Sequence, residues 1–171
     1  MLLDENIETP RLTIRSWKKS DKVFTFSLWG DKENGKYMSD PARENMDEAY
    51  LKCVDEMENN PEGYYLIAEL KAVGKPVGTC CIFPENGNYD IGYCISKDHW
   101  REGLGTEMVE AIICWVKAQG GKSITAEVAD KNLASVALLR KFGFTPCRKT
   151  RYKKWGEETC FDAHYYKLAL E

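Results

Sequence analysis

The sequence predicts an α/β fold of the α+β kind, in which a mixed, mostly antiparallel sheet of six to seven strands contains a central parallel β-α-β crossover. Two observations carry this prediction. Three strand-like runs joined by short turns occupy 64–95, a pattern that is typical of an antiparallel meander. A strand at 89–95, an amphipathic helix at 104–119 and a strand at 123–128 then make one crossover, whose two strands are predicted to be parallel.

The first half of the chain predicts two helices inserted near the start of the sheet. Apolar and polar residues alternate over 12–16, which indicates a half-buried strand. Ser20 and Asp21 favour the start of a short helix that runs to about Trp29, and Asp47 favours the start of another. The predicted elements are therefore a strand at 12–16, helices ending near 29 and 57, and strands at 64–70, 77–83 and 89–95.

The second half predicts two more helices and the closing strands. The helix at 104–119 stops at a pair of glycines, and Asn132 favours the start of a helix at 133–142 that ends at Gly143. A strand at 123–128 lies between these helices. The last predicted strands, at 144–149 and 161–170, are separated by a basic hairpin.

Length and composition indicate one folded domain over 1–171. The chain has 171 residues, is 43% apolar and carries a net charge of −3, and a domain usually has about 100–200 residues. No stretch approaches the ~20 apolar residues of a membrane helix, and the N-terminus is acidic where a secretion signal is basic. A nucleic-acid partner would favour a basic face. We expect a cytoplasmic protein with no nucleic-acid and no membrane partner.

The cysteines predict free thiols and no metal site. All 7 are scattered along the chain without a CxxC pair, which favours small buried hydrophobic residues in a reducing compartment. Cys160 and His164 have the spacing of metal ligands, but no second pair of ligand residues accompanies them.

The most informative segment is the loop between the strand ending at Ile95 and the helix beginning near Leu104. Gly103 and Gly105 let the backbone approach a ligand closely, and the first turn of the helix offers free amides to an anion. No lysine follows Gly105, which excludes a P-loop, and Met108 stands where a dinucleotide motif needs its third glycine. We expect a pyrophosphate site here, with a tight turn that binds nothing as the alternative.

Four ordered motifs give the chain a family resemblance. The sequence W-R-E-G-L-G-T-E at 100–107 resembles the cofactor motif of the GNAT N-acetyltransferases, in the form typical of their ribosomal-protein-alanine acetyltransferase branch. The segment 132–144 resembles the second motif of that family. The opening at 8–15 and the ending at 155–166 resemble the same branch, so the resemblance covers essentially the whole chain.

The resemblance implies a GNAT-like acyl-CoA acyltransferase fold with acetyl-CoA as co-substrate and no metal. It implies a pyrophosphate on the backbone amides of 101–106 and a pantetheine arm beside 93–95, where the strand diverges from its parallel neighbour. Asn132 is implied to contact the pantetheine or the phosphates. The residues expected to bind the cofactor are Cys94, Ile95, Arg101, Glu102, Gly103, Leu104, Gly105, Thr106, Asn132 and Ser135.

The catalytic residues are expected on the strand at 89–95 and on the helix at 133–142. Amines of pKa ~8 to 10 are mostly protonated near neutral pH, so a base must take a proton. We expect Asp90 to be that base, the alternative being an exposed carboxylate at a strand end. Leu139 stands where many GNAT enzymes have a tyrosine that donates a proton. Ser135, one turn earlier, is expected to hydrogen-bond the sulfur, the alternative being a serine that only caps its helix.

The predicted activity is acetyl transfer from acetyl-CoA to a primary amine, which is a protein N-terminus or a small molecule. A non-catalytic CoA-binding sensor or partner module is the alternative. A strand amide near Ile95 is expected to polarise the thioester carbonyl. Tyr93, the turn at Glu85 and His99 are weaker catalytic candidates. The sequence leaves the acceptor and the oligomeric state open.

Two groups of residues are expected near the acceptor, each with a structural alternative. The basic run at 148–154 attracts an acidic acceptor or is a solvated hairpin. The aromatic residues of the N-terminal helices shape the acceptor pocket or pack in the core; they are Trp17, Phe24, Phe26, Trp29 and Tyr37.

Overall fold

The computed structural model describes residues 1–170, which form a mixed eight-stranded sheet with four α-helices. The sheet order is β1-β2-β3-β4-β5-β6-β8-β7, and β5 with β6 is the one parallel pair among these strands. The strands are β1 (Ile7–Glu8), β2 (Leu12–Ser16), β3 (Tyr64–Leu70), β4 (Lys75–Glu85), β5 (Asn88–Ile95), β6 (Ser123–Ala129), β7 (Thr145–Lys153) and β8 (Cys160–Ala169). The helices are α1 (Lys22–Trp29), α2 (Glu48–Asp55), α3 (Leu104–Ala118) and α4 (Leu133–Lys141).

The fold class is confirmed, and the strand count is one higher than the upper end of the prediction. The additional strand is β1, whose two residues pair with Ile14 and Thr13 of β2. Two residues are too few for a periodic pattern, so the sequence alone did not reveal this strand. The bounds of several other elements differ from the prediction by one to four residues. The largest of these differences is at β7, which continues to Lys153; most of its residues are exposed, so no apolar pattern marks its end.

The main core lies between the sheet and the pair α3 and α4. The inner face of α3 repeats at helical spacing and is fully buried at Met108 and Ile112. Ile124 of β6 and Leu139 of α4 belong to the same cluster. Side chains buried this completely contribute about 1.5–3 kcal/mol each relative to an exposed position. The core thereby fixes both helices against the two central strands.

A smaller core lies on the other face of the sheet, under α1 and α2. It consists of Trp17, Tyr50, Val54, Met57 and Ile67. The Trp17 indole N–H donates to Thr25 Oγ1 at 2.9 Å, so this buried ring keeps a hydrogen-bond partner. The chain between α1 and α2 is placed over the sheet by this second core.

The two central strands part soon after they pair. Residues 88–90 of β5 pair with residues 123–125 of β6, and no pair is formed further along either strand within the described residues. However, β5 continues to Ile95 and β6 to Ala129. The strands therefore diverge towards their carboxyl ends, where ligands bind in sheets of this kind. A gap opens there between β5 and the start of α4.

No helix within residues 1–170 has the length and apolar character needed to cross a membrane.

Candidate functional site

The loop between β5 and α3 has two residues with left-handed backbone within three positions. Arg101 has a φ of 65° and Gly103 a φ of 80°, and α3 begins directly afterwards at Leu104. Successive N–H groups in such a turn make a concave nest that binds anions. The first N–H groups of α3 have no acceptor within the helix, and the positive end of its dipole adds to the attraction. The geometry of this loop is suited to a phosphate group.

An ion pair from the N-terminal strands holds this loop. Glu107, in the first turn of α3, accepts hydrogen bonds from Thr9 Oγ1 and from Arg11 Nε, each at 2.6 Å. Arg11 Nη1 in turn donates to the carbonyl oxygen of Glu102 at 2.9 Å. The turn between β1 and β2 therefore fixes the outer side of the loop.

The backbone N–H of Ile95 at the end of β5 is directed towards the gap. Ser96 N donates to the carbonyl oxygen of Val77 at 2.8 Å, on the β4 side. Because peptide groups alternate in direction along a strand, the N–H and the carbonyl of Ile95 point the other way. The carbonyl oxygen of Ile95 accepts from Asn34 Nδ2 and from Trp100 Nε1, each at 2.8 Å. Asn34 and Trp100 thus fix the orientation of the Ile95 peptide group.

Ser135 lies in the first turn of α4, across the gap from β5. The cap predicted at Asn132 is present, because its Oδ1 accepts the N–H of Ser135 at 3.3 Å. The hydroxyl of Ser135 lies 2.7 Å from that of Tyr93. Burial raises the pKa of Tyr93 to about 12. The structure therefore brings Ser135 to β5, on the face of the sheet that α3 and α4 cover.

Leu139 is fully buried and belongs to the main core. It lies one turn after Ser135 on α4, on the helix face that packs against the sheet. This position serves packing, so no proton donor is available from it.

Asp90 lies on the opposite face of β5 from Tyr93, as side chains three residues apart on a strand do. Thr125 Oγ1 donates to Asp90 Oδ1 at 2.6 Å across the parallel pair. Burial raises the pKa of Asp90 above the usual carboxyl range, although the bond from Thr125 lowers it. A carboxylate of raised pKa is better matched to taking a proton near neutral pH.

A second carboxylate shares this face with Asp90. Glu127 lies two residues beyond Thr125 on β6 and pairs with Tyr165 of β8. After burial, the nearby charge of Glu127 is a further cause of the raised pKa of Asp90. The guanidinium of Arg148 lies over the Tyr165 ring, 4.3 Å from its centre. We call the face formed by Asp90, Thr125, Glu127 and Tyr165 the acidic floor.

Hydrogen bonds to Lys154 and to the end of β5 hold the segment between α1 and α2, residues 30–46. We call this segment the acceptor loop, after the expectation from the sequence that this region shapes an acceptor pocket. Lys154 is only 7% exposed, and its Nζ donates to the carbonyl oxygens of Gly35, Met38 and Asp40 at 2.8 Å each. Burial lowers the pKa of Lys154. Asn34 ties the same segment to the end of β5 and to the turn after it, because it donates to the carbonyl oxygen of Ile95 and accepts the N–H of Lys97, each at 2.8 Å.

The N-terminal aromatic residues divide between the core and the acceptor loop. Trp17 is buried in the smaller core, and Phe24, Phe26 and Trp29 pack against it. Tyr37 belongs to the acceptor loop, where its ring meets the edge of Phe161 at 5.7 Å between ring centres. Trp17 thus belongs to the core, Phe24, Phe26 and Trp29 are partly buried against it, and Tyr37 lies in the acceptor loop.

The remaining candidates lie around these elements. The Cys94 thiol lies 3.5 Å from Asn34 Nδ2, and burial raises its pKa to about 11. His99 Nδ1 lies 3.2 Å from a carboxylate oxygen of Glu102, on the surface of the loop. His164 Nδ1 lies 2.6 Å from Asp130 Oδ1. No group of three or more potential metal ligands occurs in the part of the chain that the structure describes.

A cavity also lies beside the N-terminal segment. It has about 570 Å³ and lies between the N-terminal segment and α3, where Glu110, Cys114 and Trp115 form one wall. Trp115 meets Tyr89 at the start of β5, at the far end of that strand from Ile95. Thr9 and Glu107, which hold the loop before α3, also line this cavity.

Four residues of the site had no role assigned from the sequence. Arg11 contacts the loop before α3, and Asn34 contacts the end of β5, each from more than 60 positions away in the chain. The sequence groups Lys154 with a basic hairpin that is either solvated or attracts an acidic acceptor, and Glu127 is one alternating residue of a strand. Each acts through a long-range contact that no local pattern encodes, although Arg11 does belong to the N-terminal motif of the family resemblance.

Comparison with known proteins defines the class to which this fold and site belong. Residues 11–145 match the family model of the acetyltransferase (GNAT) domain. The chain therefore belongs to the GNAT family of acetyltransferases, whose members are acyltransferases. It is similar to an uncharacterized N-acetyltransferase, p20, of Bacillus licheniformis, with 27% identity over 146 residues that cover 82% of each chain.

Two solved structures have the same fold. One is a spermidine N-acetyltransferase from Vibrio cholerae in complex with CoA and spermine, with a TM-score of 0.79 and 15% identity over 94% of this chain and 96% of that one. The other is a ribosomal-protein-S5-alanine acetyltransferase from Vibrio fischeri, with a TM-score of 0.73, 18% identity and coverage of 97% of each chain. The fold is thus shared at low sequence identity.

Replacing Lys154 tests how the acceptor loop is held. In Lys154→Met, three carbonyl oxygens lose their donor, and an unsatisfied buried polar group costs about 1–3 kcal/mol. We expect urea unfolding to report a loss of at least about 2 kcal/mol, and hydrogen exchange to become faster in the amides of 30–46.

Lys153→Met is the matched control, because Lys153 is exposed and pairs with the exposed Glu158. This variant should change stability by less than about 0.5 kcal/mol. Amides of the acceptor loop that exchange as slowly in Lys154→Met as in the wild type would contradict the anchoring role.

Proposed function

We propose that this protein transfers an acetyl group from acetyl-CoA to a primary amine, at the gap where β5 and β6 diverge. The observation that carries the proposal is the combination of that gap with the nest at Arg101 and Gly103. A nest at a helix start suits a pyrophosphate, and the gap beside it suits an extended arm that leads to the acidic floor.

The cofactor is proposed to bind as acetyl-CoA along the residues named from the sequence. Its pyrophosphate would lie on the amides of 101–106, and its pantetheine arm would follow β5 at Cys94 and Ile95. Asn132 and Ser135 would line the opposite side of the arm. These residues flank one continuous path, because β5 ends at Ile95 and α3 starts nine positions later.

The reaction forms a C–N bond and breaks the C–S bond of the thioester, and the electron pair of that bond stays on sulfur. The N–H of Ile95 points into the gap and would donate to the carbonyl oxygen as negative charge develops there. Ser135 would donate to the sulfur. Asp90 would receive the proton of the amine. A strand rises about 3.3 Å per residue, so Asp90 lies ~13 Å along β5 from Cys94 and would act through ordered water.

The acceptor is proposed to be cationic in its bound form. The acidic floor carries the carboxylates of Asp90 and Glu127, which attract a positively charged amine, while Arg148 already covers the Tyr165 ring. A polyamine and a peptide with a free N-terminal alanine both fit this description, and they are the acceptors that the names of the two similar enzymes suggest.

All 7 cysteines are free thiols, which supports a reducing, cytoplasmic location.

A panel of amines tests the proposal. Purified protein is incubated with acetyl-CoA and, in separate reactions, with spermidine, an alanine-initiated peptide and an amino sugar, and acetylated products are measured by mass spectrometry. We expect at least one amine to be acetylated with an equal amount of free CoA. Binding of CoA without product from any acceptor would instead support a sensor or partner module.

The cofactor loop is tested by Gly103→Ala. A residue with a side chain costs about 1–2 kcal/mol in left-handed backbone, and the strained loop must be restored for the pyrophosphate to bind. We expect the Kd for CoA, measured by calorimetry, to rise about 5- to 10-fold.

Gly74→Ala is the control for backbone strain alone. Gly74 also has a positive φ, of 61°, in the turn between β3 and β4, and a Cβ there would meet no atom within 4 Å. Its Kd should equal that of the wild type. Equal Kd values in both variants would remove the loop from the cofactor site.

Asp90→Asn tests the base. Below its raised pKa the wild-type carboxyl group is protonated and cannot accept the proton of the amine, so kcat should fall as the pH drops through a value above the usual aspartate range of about 3.9. In Asp90→Asn we expect kcat at pH 7 to fall about 100-fold. The remaining rate should increase with pH as free amine becomes available.

Glu110→Gln serves as the comparison, because Glu110 is an exposed carboxylate on α3 beside the cavity at the N-terminal segment. Its pH profile should match the wild type. If Asp90→Asn also keeps the wild-type profile and kcat, another group is the base.

A further inference from the structure

Tyr93 and Ser135 form an isolated hydroxyl pair at the mouth of the gap. Their oxygen atoms are 2.7 Å apart, one on the strand that ends at the nest and the other in the first turn of α4. The side chain of Tyr93 points to the same face of β5 as Ile91 and Ile95, both of which are buried in the main core. The phenol therefore reaches across the opening between the two elements that flank it.

The backbone around this pair leaves little freedom to Ser135. Its N–H is held by Asn132 at 3.3 Å, which fixes the first turn of α4. The Tyr93 ring packs against the main core, which restricts the position of the phenol oxygen. A hydroxyl group has one proton to donate and two lone pairs that accept. If the phenol donates to Ser135 Oγ, the proton of Ser135 must point elsewhere.

We propose that Tyr93 is a positioning residue for the transfer step: it donates to Ser135 Oγ and thereby directs the Ser135 O–H towards the sulfur of the acetyl thioester. This inference rests on the proposed function. The phenol takes up one lone pair of Ser135, so the serine proton points away from the phenol. The free direction for the serine proton is the gap, where the thioester sulfur would lie.

The role is donation of a hydrogen bond without transfer of the phenol proton. When the C–S bond breaks, its electron pair remains on sulfur, and the serine O–H stabilises the developing thiolate. The proton lost by the amine leaves through the base on the other face of the sheet, and the thiolate takes up a proton from solvent as CoA leaves. Both hydroxyl groups stay protonated throughout. The raised pKa of Tyr93 agrees with this, because a buried phenol keeps its proton at neutral pH.

The pair gives a physical reason for the residue at position 139. Position 139 of α4 holds a leucine, which is buried in the core and has no proton to donate. A phenol is nevertheless present at the gap, but it comes from β5 and acts through Ser135. The strand therefore supplies the aromatic hydroxyl that the helix lacks.

The test is a double-mutant cycle with an acceptor that the wild type acetylates. The variants are Tyr93→Phe, Ser135→Ala and the double variant, with Ser135→Thr as the conservative replacement. A hydrogen bond to a charged group contributes about 1.5–3 kcal/mol, so we expect kcat to fall at least about 10-fold in Ser135→Ala. Tyr93→Phe should lower kcat by a similar factor, while KM for acetyl-CoA and the melting temperature change little.

Non-additivity separates positioning from a structural role. The double variant should be no slower than Ser135→Ala alone, because the phenol acts only through the serine, and Ser135→Thr should keep most of the wild-type kcat. Tyr93→Phe with full kcat, or losses that multiply in the double variant, would overturn the inference. A wild-type protein that binds CoA but acetylates no amine would count against the proposed function itself, before any variant is compared.

Discussion

The site depends on the early separation of the two parallel strands. After three residue pairs, β5 and β6 stop pairing, although each strand continues. Unpaired backbone N–H and carbonyl groups are costly unless another partner satisfies them. At Ile95 the carbonyl oxygen is satisfied by Asn34 and Trp100, while the N–H stays directed into the gap. Because β6 does not pair with this part of β5, the N–H of Ile95 is left for an acceptor from outside the sheet.

The elements that flank the gap are fixed from both faces of the sheet. On one face, α3 and α4 are held by the main core, and Arg11 with Glu107 fixes the loop that precedes α3. On the other face, Lys154 and Asn34 fix the acceptor loop. Asn34 belongs to both systems, because it lies in the acceptor loop and donates a hydrogen bond to Ile95 at the end of β5. A substitution at Asn34 would therefore disturb the cofactor side and the acceptor side together.

Local chemistry made part of this arrangement predictable from the sequence. The paired glycines, the helix cap at Asn132 and the crossover are short-range patterns, and the structure contains each of them. Strand β1 was missed because two residues carry no period. The role of Lys154 was missed for a different reason: its three acceptors lie more than 110 positions earlier in the chain, and a buried lysine in a basic run has the same sequence pattern as a solvated one. Long-range polar contacts of this kind are set by tertiary packing alone.

The distribution of charge also takes on a different meaning in three dimensions. The sequence shows a mildly acidic chain with a basic hairpin near its end. In the fold, the basic residues of β7 lie on an exposed edge strand, and charged edges of this type discourage pairing with other chains. Arg148 is drawn inwards over Tyr165, beside Glu127. The hairpin therefore contributes one positive charge to the acidic floor, where burial raises the pKa of Asp90 and the charge of Arg148 lowers it.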